Sequence, residues 1–288
     1  WFFVATYRYM TVTGDEALVR DELLPVLRDI ISWHEIGTRR GLRMDSDGLL
    51  SIAPSDTPVT WMNGYADGQA TTPRHGKIVE VNALWHNALV IVSELCLRFG
   101  HTYDARDYRR TSDRVKTSFQ QVFWNKDLGC LYDFVDGEVR DASIRPNQIF
   151  ALSLPIPLLI SSRARNVLKV IENQLLTPRG LRTLAADDPD YRGQYIGSPR
   201  DRHQAYHQGT VWGWLMGPYI TALIRIRPRT GKVQARKLLR DVHESLAIKG
   251  IGTLSEIYDG DAPHTPRGCV AHAVAVAEIL RVMSELDM

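Results

Sequence analysis

An all-α fold, with helices paired into an α/α toroid, is what this sequence predicts. Three observations carry the prediction. Apolar residues recur at spacings of three and four over most of the 288 residues, the period of helices with one buried face. Long polar loops bearing aromatic residues separate those helices. The recurring order is a helix pair followed by a long loop, with no matching sequence period. That order fits inner and outer helix rings with a site at the loop-bearing end.

The elements follow along the chain. Trp1-Phe2-Phe3 begins an apolar helical segment, so one or two further helices are expected upstream of it. Asp15 is placed to cap a short helix through Val19. Pro25 opens the next, where Leu27, Ile30, Ile31 and His34 share a face. Between Asn82 and Phe99 the stripe Leu84, Ala88, Ile91, Leu95 and Phe99 predicts a strongly amphipathic helix. Tyr108, Val115, Phe119 and Val122 mark another, as do Ala164, Val167, Leu168, Ile171 and Leu175. The stretch from Gly209 to Ile226 is apolar nearly all round and is predicted to be buried. After Gly231 come Val233, Leu238, Leu239, Val242 and Leu246, and a last helix runs from about Gly268 to Leu286.

Loops fill roughly 37–80, 124–147, 176–206 and 248–267. The second holds an expected hairpin, Leu131–Val135 with Glu138–Val139, around Asp136-Gly137. Loops this long in a helical domain are functional more often than connecting. No Pro/Ser-rich linker interrupts the chain, so residues 1–288 read as one domain.

Composition excludes several functions. With 35 Lys+Arg against 33 Asp+Glu the net charge is +2, which offers no field for nucleic acid or anionic lipid. No apolar run approaches the roughly 18 residues of a membrane span. Cys96, Cys130 and Cys269 form neither a disulfide framework nor a zinc pattern. The histidines show no HExxH or CxxC…H spacing, so no metal is expected. GxSxG, Walker and GxGxxG motifs are lacking.

Four segments concentrate Trp with Arg, Asn, Gln and carboxylates: TWMNGYADGQATTPRHGKIVEVNALW (60–85), SIRPNQIFALSLP (143–155), YHQGTVWGW (206–214) and GTLSEIYDGDAPHTPRGC (252–269). This is the composition of a sugar site. Aromatic faces stack on pyranose C–H faces, and planar polar groups fix the hydroxyls. Trp61, Trp85, Trp212 and Trp214 could equally be core residues. Hydrolysing a glycosidic bond needs a proton donor and a carboxylate that activates water or attacks carbon. Glu256, in LSEIYDGD, is the best carboxylate, with Asp259 and Asp261 as competitors. Glu80 could bind substrate or pair with Lys77 or Arg74, and His207 beside Gln208 could be a sugar ligand or a buried histidine.

At these segments the chain resembles the glucosidase domain of glycogen debranching enzymes, the amylo-α-1,6-glucosidase family. TGDEAL (13–18), TWM (60–62), TPRHGKIVEVNALWHNAL (72–89), RPNQIFALSLP (145–155), LLTPRGLRTL (175–184), AYHQGTVWGWL (205–215) and SEIYDGDAPHTPRGC (255–269) carry the resemblance. It implies an (α/α)6 barrel. It also implies inverting hydrolysis of α-1,6-linked glucose stubs on glycogen or a related α-glucan, no cofactor, and a cytoplasmic enzyme. On the same resemblance Glu256 falls at the general base. Trp61, Arg74, Lys77, Glu80, Asn82, Trp85, Arg145, Asn147, His207, Gln208 and Trp212 fall at positions expected to line the sugar pocket.

The main departure is Asn63. The family motif reads TWMD, with that Asp as general acid, whereas this chain has TWMN. Losing a general acid costs about 10²–10⁴ in rate. Three readings fit: a substitution that keeps the site and blocks turnover, Asp67 acting as substitute acid, or an α-glucan binder that does not cleave. A trehalase-like or glucoamylase-like toroid enzyme is the rival within glycosidases. An epimerase would want further catalytic histidines.

Overall fold

Amphipathic stripes in the sequence become helices almost where the period places them. The computed structural model describes residues 1–54, 58–247 and 250–288. Residues 55–57 of the first expected loop and 248–249 of the last lie outside the described residues. Helix α1 is Phe2–Thr13, α2 Glu16–Leu18 and α3 Leu24–Ile36, the last two joined by a π turn, Val19–Leu23. The Asp15 carboxylate caps α2 by accepting from Leu18 N–H. Pro25 sits in the first turn of α3, where its missing N–H costs nothing. Then come α4 (Val79–Arg98), α5 (Thr102–Val122), α6 (Phe150–Ser153), α7 (Ser161–Gln174), α8 (Pro199–Ala205), α9 (Met216–Ile226), α10 (Gly231–Ser245) and α11 (Ala273–Glu285).

The pairing of helices is clearest in α4 and α5. Helix α4 is buried nearly all round, from Val79 to Cys96, whereas α5 buries one stripe, including Ala105, Val115 and Phe119. The two pack along each other, and α1 and α3 also lie against α4. Helix α9 plays the same central role for α6, α7, α10 and α11. Among the described residues no helix is long and apolar enough to cross a membrane.

About half of the described residues are helical, and short strands correct the all-α expectation. The strands are β1 (Arg43–Met44), β2 (Leu50–Ser51), β3 (Tyr65–Ala66), β4 (Gln69–Ala70), β5 (Lys77–Ile78), β6 (Trp124–Asn125), β7 (Cys130–Leu131), β8 (Phe134–Asp136) and β9 (Val139–Arg140). They continue as β10 (Leu176–Thr177), β11 (Gly180–Arg182), β12 (Val211–Trp212), β13 (Ile257–Tyr258) and β14 (Pro266–Arg267). The expected hairpin is β8–β9, with Val135 opposite Arg140 and Gly137 at φ 57° in its two-residue loop. Leu131, expected in its first strand, pairs in β6–β7 instead.

The last five strands form one antiparallel sheet in sequence order, β10 to β14. They come from two expected loops and from the stretch after Gly209. That stretch is therefore a strand and a 3-10 turn, Gly213–Leu215, before it becomes helix α9. The last helix likewise starts at Ala273, and residues before it close the sheet.

Candidate active site

The five-stranded sheet sets the best carboxylate beside the aromatic residues. Trp212 in β12 pairs with Ile257 in β13, so Glu256 stands at the strand end next to Trp212. Ile257 also pairs with Arg267 in β14, and Glu256 N–H donates to the Cys269 carbonyl at 2.9 Å. The Glu256 carboxylate is held from two sides. Tyr206 Oη–H donates to Oε1 at 2.6 Å and Cys269 N–H donates to Oε2 at 3.0 Å. Gly268, at φ 62°, permits this approach, because a Cβ there would lie 2.4 Å from Glu256 Oε2. Burial, and then the hydrogen bond to Glu256, push the Tyr206 phenol well above its ordinary value.

Tyr206 follows α8, whose N-terminus carries a capping box between Ser198 and Asp201. Its carbonyl accepts from Thr210 Oγ1 at 2.6 Å and Trp212 Nε1 at 3.1 Å. Glu256 and Asn63 line one cavity of about 450 Å³ with Trp61, Tyr206, Trp212, Trp214, His272 and Glu278. Trp61 meets Trp212 and Trp214 edge-on, with ring centroids 5.4 and 5.2 Å apart. His272 caps α11, its Nδ1 accepting from Ala275 N–H. Glu278 accepts from Arg281, with Nη2 at 2.8 Å. Among the described residues no group of three or more His, Cys, Asp or Glu is placed to hold a metal ion.

Of the expected sugar ligands, only Trp61 and Trp212 line this cavity. The others do not line it, and all of them but His207 are tied to protein groups by their side chains. Trp61 Nε1 donates to Asn147 Oδ1 at 2.7 Å, and Asn147 Nδ2 donates to Asp133 Oδ1 at 2.8 Å. Arg74 Nε donates to Asp133 Oδ2 at 2.6 Å, while its Nη2 donates to Glu80 Oε2 at 2.7 Å. Arg145 donates to the His207 carbonyl at 2.8 Å and to Gln208 Oε1 at 2.6 Å. Lys77 pairs with Asp47 at 2.6 Å, Asn82 accepts from Leu50 N–H at 2.7 Å, and Trp85 Nε1 donates to the Gly48 carbonyl at 3.0 Å.

His207 is the histidine of a buried aromatic cluster. It stacks on Trp212 with centroids 5.0 Å apart, and neither ring nitrogen has a partner among the described residues. Burial, with Arg145 nearby, pulls it down to about 3. Asp67 lies in the turn between β3 and β4 at φ 52°, where Asp67-Gly68 supplies two positive-φ residues. Its carboxylate is exposed, 2.9 Å from Arg200 Nε, and does not line the cavity.

Asp133 is the residue that sequence reasoning passed over. It is fully enclosed between Arg74, Asn147 and, at 3.9 Å, Arg145. Burial raises its carboxyl above the ordinary value against the pull of both guanidiniums. Nothing in the local sequence LYDFVDG distinguishes it from a hairpin aspartate. Tyr206, Trp214, His272 and Glu278 also reach the cavity, and of these only Tyr206 and Trp214 lie within the four segments that attracted attention.

Comparison with known proteins agrees with this arrangement of motifs. Over an alignment 218 positions long that covers 62% of the chain, it is 25% identical to a glycogen debranching enzyme of Saccharomyces cerevisiae (strain ATCC 204508 / S288c). The match spans 14% of that protein's length. The family model described as amylo-alpha-1,6-glucosidase matches residues 1–281. This chain therefore belongs to the amylo-alpha-1,6-glucosidase family.

Proposed function

We propose that the chain is a glycoside hydrolase that releases glucose from α-1,6-linked stubs of glycogen or a related α-glucan, with inversion. One observation carries the reading: Glu256 and Asn63 share an aromatic cavity of about 450 Å³. A terminal glucose packs its C–H faces on the indoles of Trp61, Trp212 and Trp214. Glu256 is the base. It takes a proton from water as the water oxygen attacks C1; the bond to O6 of the branch point breaks, O6 keeps the electron pair and takes a proton from solvent water, and β-glucose leaves. Tyr206 and the Cys269 amide keep both carboxylate oxygens in place as acceptors. The acid position is Asn63. In an inverting pair a carboxylate there would stand roughly 6.5–9.5 Å from the base, with room for water between them. An (α/α)6 barrel over residues 1–288 and a place in the cytoplasm belong to the same proposal.

Glucose release from a phosphorylase-limit glucan tests it, with Glu256→Gln, Asn63→Asp and Asp67→Asn beside the wild type. Loss of about 10³-fold or more for Glu256→Gln, with β-glucose as first product, is the expected outcome. Faster turnover of maltose-type than isomaltose-type substrates would favour a glucoamylase-like enzyme. The amide of Asn63 favours one second reading, glucan binding without turnover. Calorimetric binding, with no glucose from either wild type or Asn63→Asp, would establish that reading instead.

A further inference from the structure

Burial alternates along the segment that leads into β3. Met62 and Gly64 are buried, Trp61 is half-buried, and Asn63 and Tyr65 are exposed. Such alternation puts residues 61, 63 and 65 on one face of an extended chain. On that face Trp61 and Asn63 line the cavity, across which stand Glu256 and Trp1. The opposite face is pinned to the protein. Met62 Sδ accepts from Asn147 Nδ2 at 3.4 Å, and a Cβ on Gly64 would lie 2.4 Å from Thr71 Oγ1. Tyr65 is thus the next side chain along the cavity face, roughly 7 Å beyond Asn63. Its ring is held in place and left bare. The phenol donates to the Gly68 carbonyl at 2.7 Å within the same hairpin, and Thr71 N–H donates to the Gly64 carbonyl at 2.9 Å at the hairpin's base. Across the strand pair Tyr65 meets Ala70, whose methyl is too small to cover a phenol ring. At the tip Asp67 reaches Arg200 of α8, 2.9 Å away. The ring remains 45% exposed. A lone exposed apolar side chain is ordinary. A ring that is exposed and already fixed gives up little rotamer freedom when a ligand stacks on it.

We infer that Tyr65 is an outer sugar subsite, which stacks on the glucan chain that carries the stub. The inference rests on the reading above that the cavity takes the terminal glucose. With that glucose against Trp61 and Trp212, the bond to be cleaved lies beside residue 63, because the acid position serves the leaving oxygen. The leaving sugar then extends past Asn63 along the same face and onto the Tyr65 ring. An aromatic face whose hydroxyl is already engaged suits the C–H face of a pyranose. The ligand class is a neutral glucosyl unit of the branch-bearing chain. Tyr65 therefore favours a stub on a maltooligosaccharide over glucose alone.

Calorimetry with glucose and with a maltooligosaccharide bearing an isomaltose-type stub tests this, for wild type, Tyr65→Ala and Tyr65→Phe. Tyr65→Ala is expected to weaken binding of the stub-bearing chain by about tenfold and to leave glucose binding within about twofold of wild type. In glucose release from the same chain, KM is expected to rise by a similar factor with kcat little changed. Tm stays near that of wild type, as at other exposed positions. Tyr65→Phe keeps the ring and is expected to lose about threefold or less. Equal affinity of wild type and Tyr65→Ala for the stub-bearing chain overturns the inference and leaves the glucosidase reading standing. So does a loss that falls equally on glucose, which would put the effect of Tyr65 inside the cavity. Tyr65→Phe binding as weakly as Tyr65→Ala overturns stacking on the ring. A wild type that binds neither glucose nor the stub-bearing chain, and releases no glucose, overturns the glucosidase reading and the inference with it.

Discussion

Glu256 takes its position from two donors that approach from different parts of the chain. The Cys269 amide comes from just past the partner strand β14, 13 residues on, and the Tyr206 hydroxyl from 50 residues back. A hydrogen bond to a charged group is worth about 1.5–3 kcal/mol. Tyr206→Phe is therefore expected to lower the unfolding free energy by up to about 3 kcal/mol and kcat/KM for glucose release by roughly 10- to 100-fold. A rate within twofold of wild type would show that the backbone amide alone suffices. Glu256 itself could be read from sequence, as a carboxylate in an aromatic-bearing loop before a helix. Its phenol partner could not, because the 50-residue separation leaves no local trace. Asp67 is ambiguous for a physical reason: Asp-Gly is both a candidate acid and a turn signal, and here the turn sets its carboxylate beside Arg200.

Two kinds of element differ in how plainly they show themselves. A helix as long as α4 repeats its buried positions over many turns, so its stripe, read from Asn82 to Phe99, lies within three residues of the observed ends, Val79 and Arg98. A two-residue strand has no alternation to display, and the sheet that carries Trp212 is built entirely of strands two or three residues long. The motif-bearing loops were visible by composition, but which of their polar residues face outward was not. Arg74, Glu80, Arg145 and Asn147 look like sugar ligands because planar polar groups suit hydroxyls. Arg74, Arg145 and Asn147 suit Asp133 and the backbone just as well, and Glu80 suits Arg74. This buried network ties Arg74 before β5, Glu80 in the first turn of α4, Asp133 just before the hairpin β8–β9 and the 3-10 turn Pro146–Ile149 to the indole of Trp61. Removing one partner of a buried ion pair costs about 3–5 kcal/mol. Asp133→Ala should lower the denaturant midpoint accordingly with an unchanged m-value. A loss under about 1 kcal/mol would mean that water replaces the carboxylate.

At the scale of the whole molecule, pH reaches the core through histidine. His86 and His207 are both buried, and burial pulls them down to about 4 and about 3. Their folded values lie below the unfolded value, near 6.5. The unfolded chain then binds more protons below that pH, so stability is present at neutral pH and falls as the solution is acidified. By pH 5 each histidine takes away roughly 2 kcal/mol. Tm is expected to drop steadily from pH 7 to pH 5, and a flat profile would contradict neutral histidines in the core. The sheet beneath the site has a consequence in time as well as in space. Helix pairs such as α4 and α5 adjoin in sequence and form from local contacts. The strand that presents Glu256 waits for partners far back along the chain. Contacts of long sequence separation carry the larger loop-closure cost and come late in folding. A nascent chain would thus hold most of its helices before it holds the cavity that Glu256 lines.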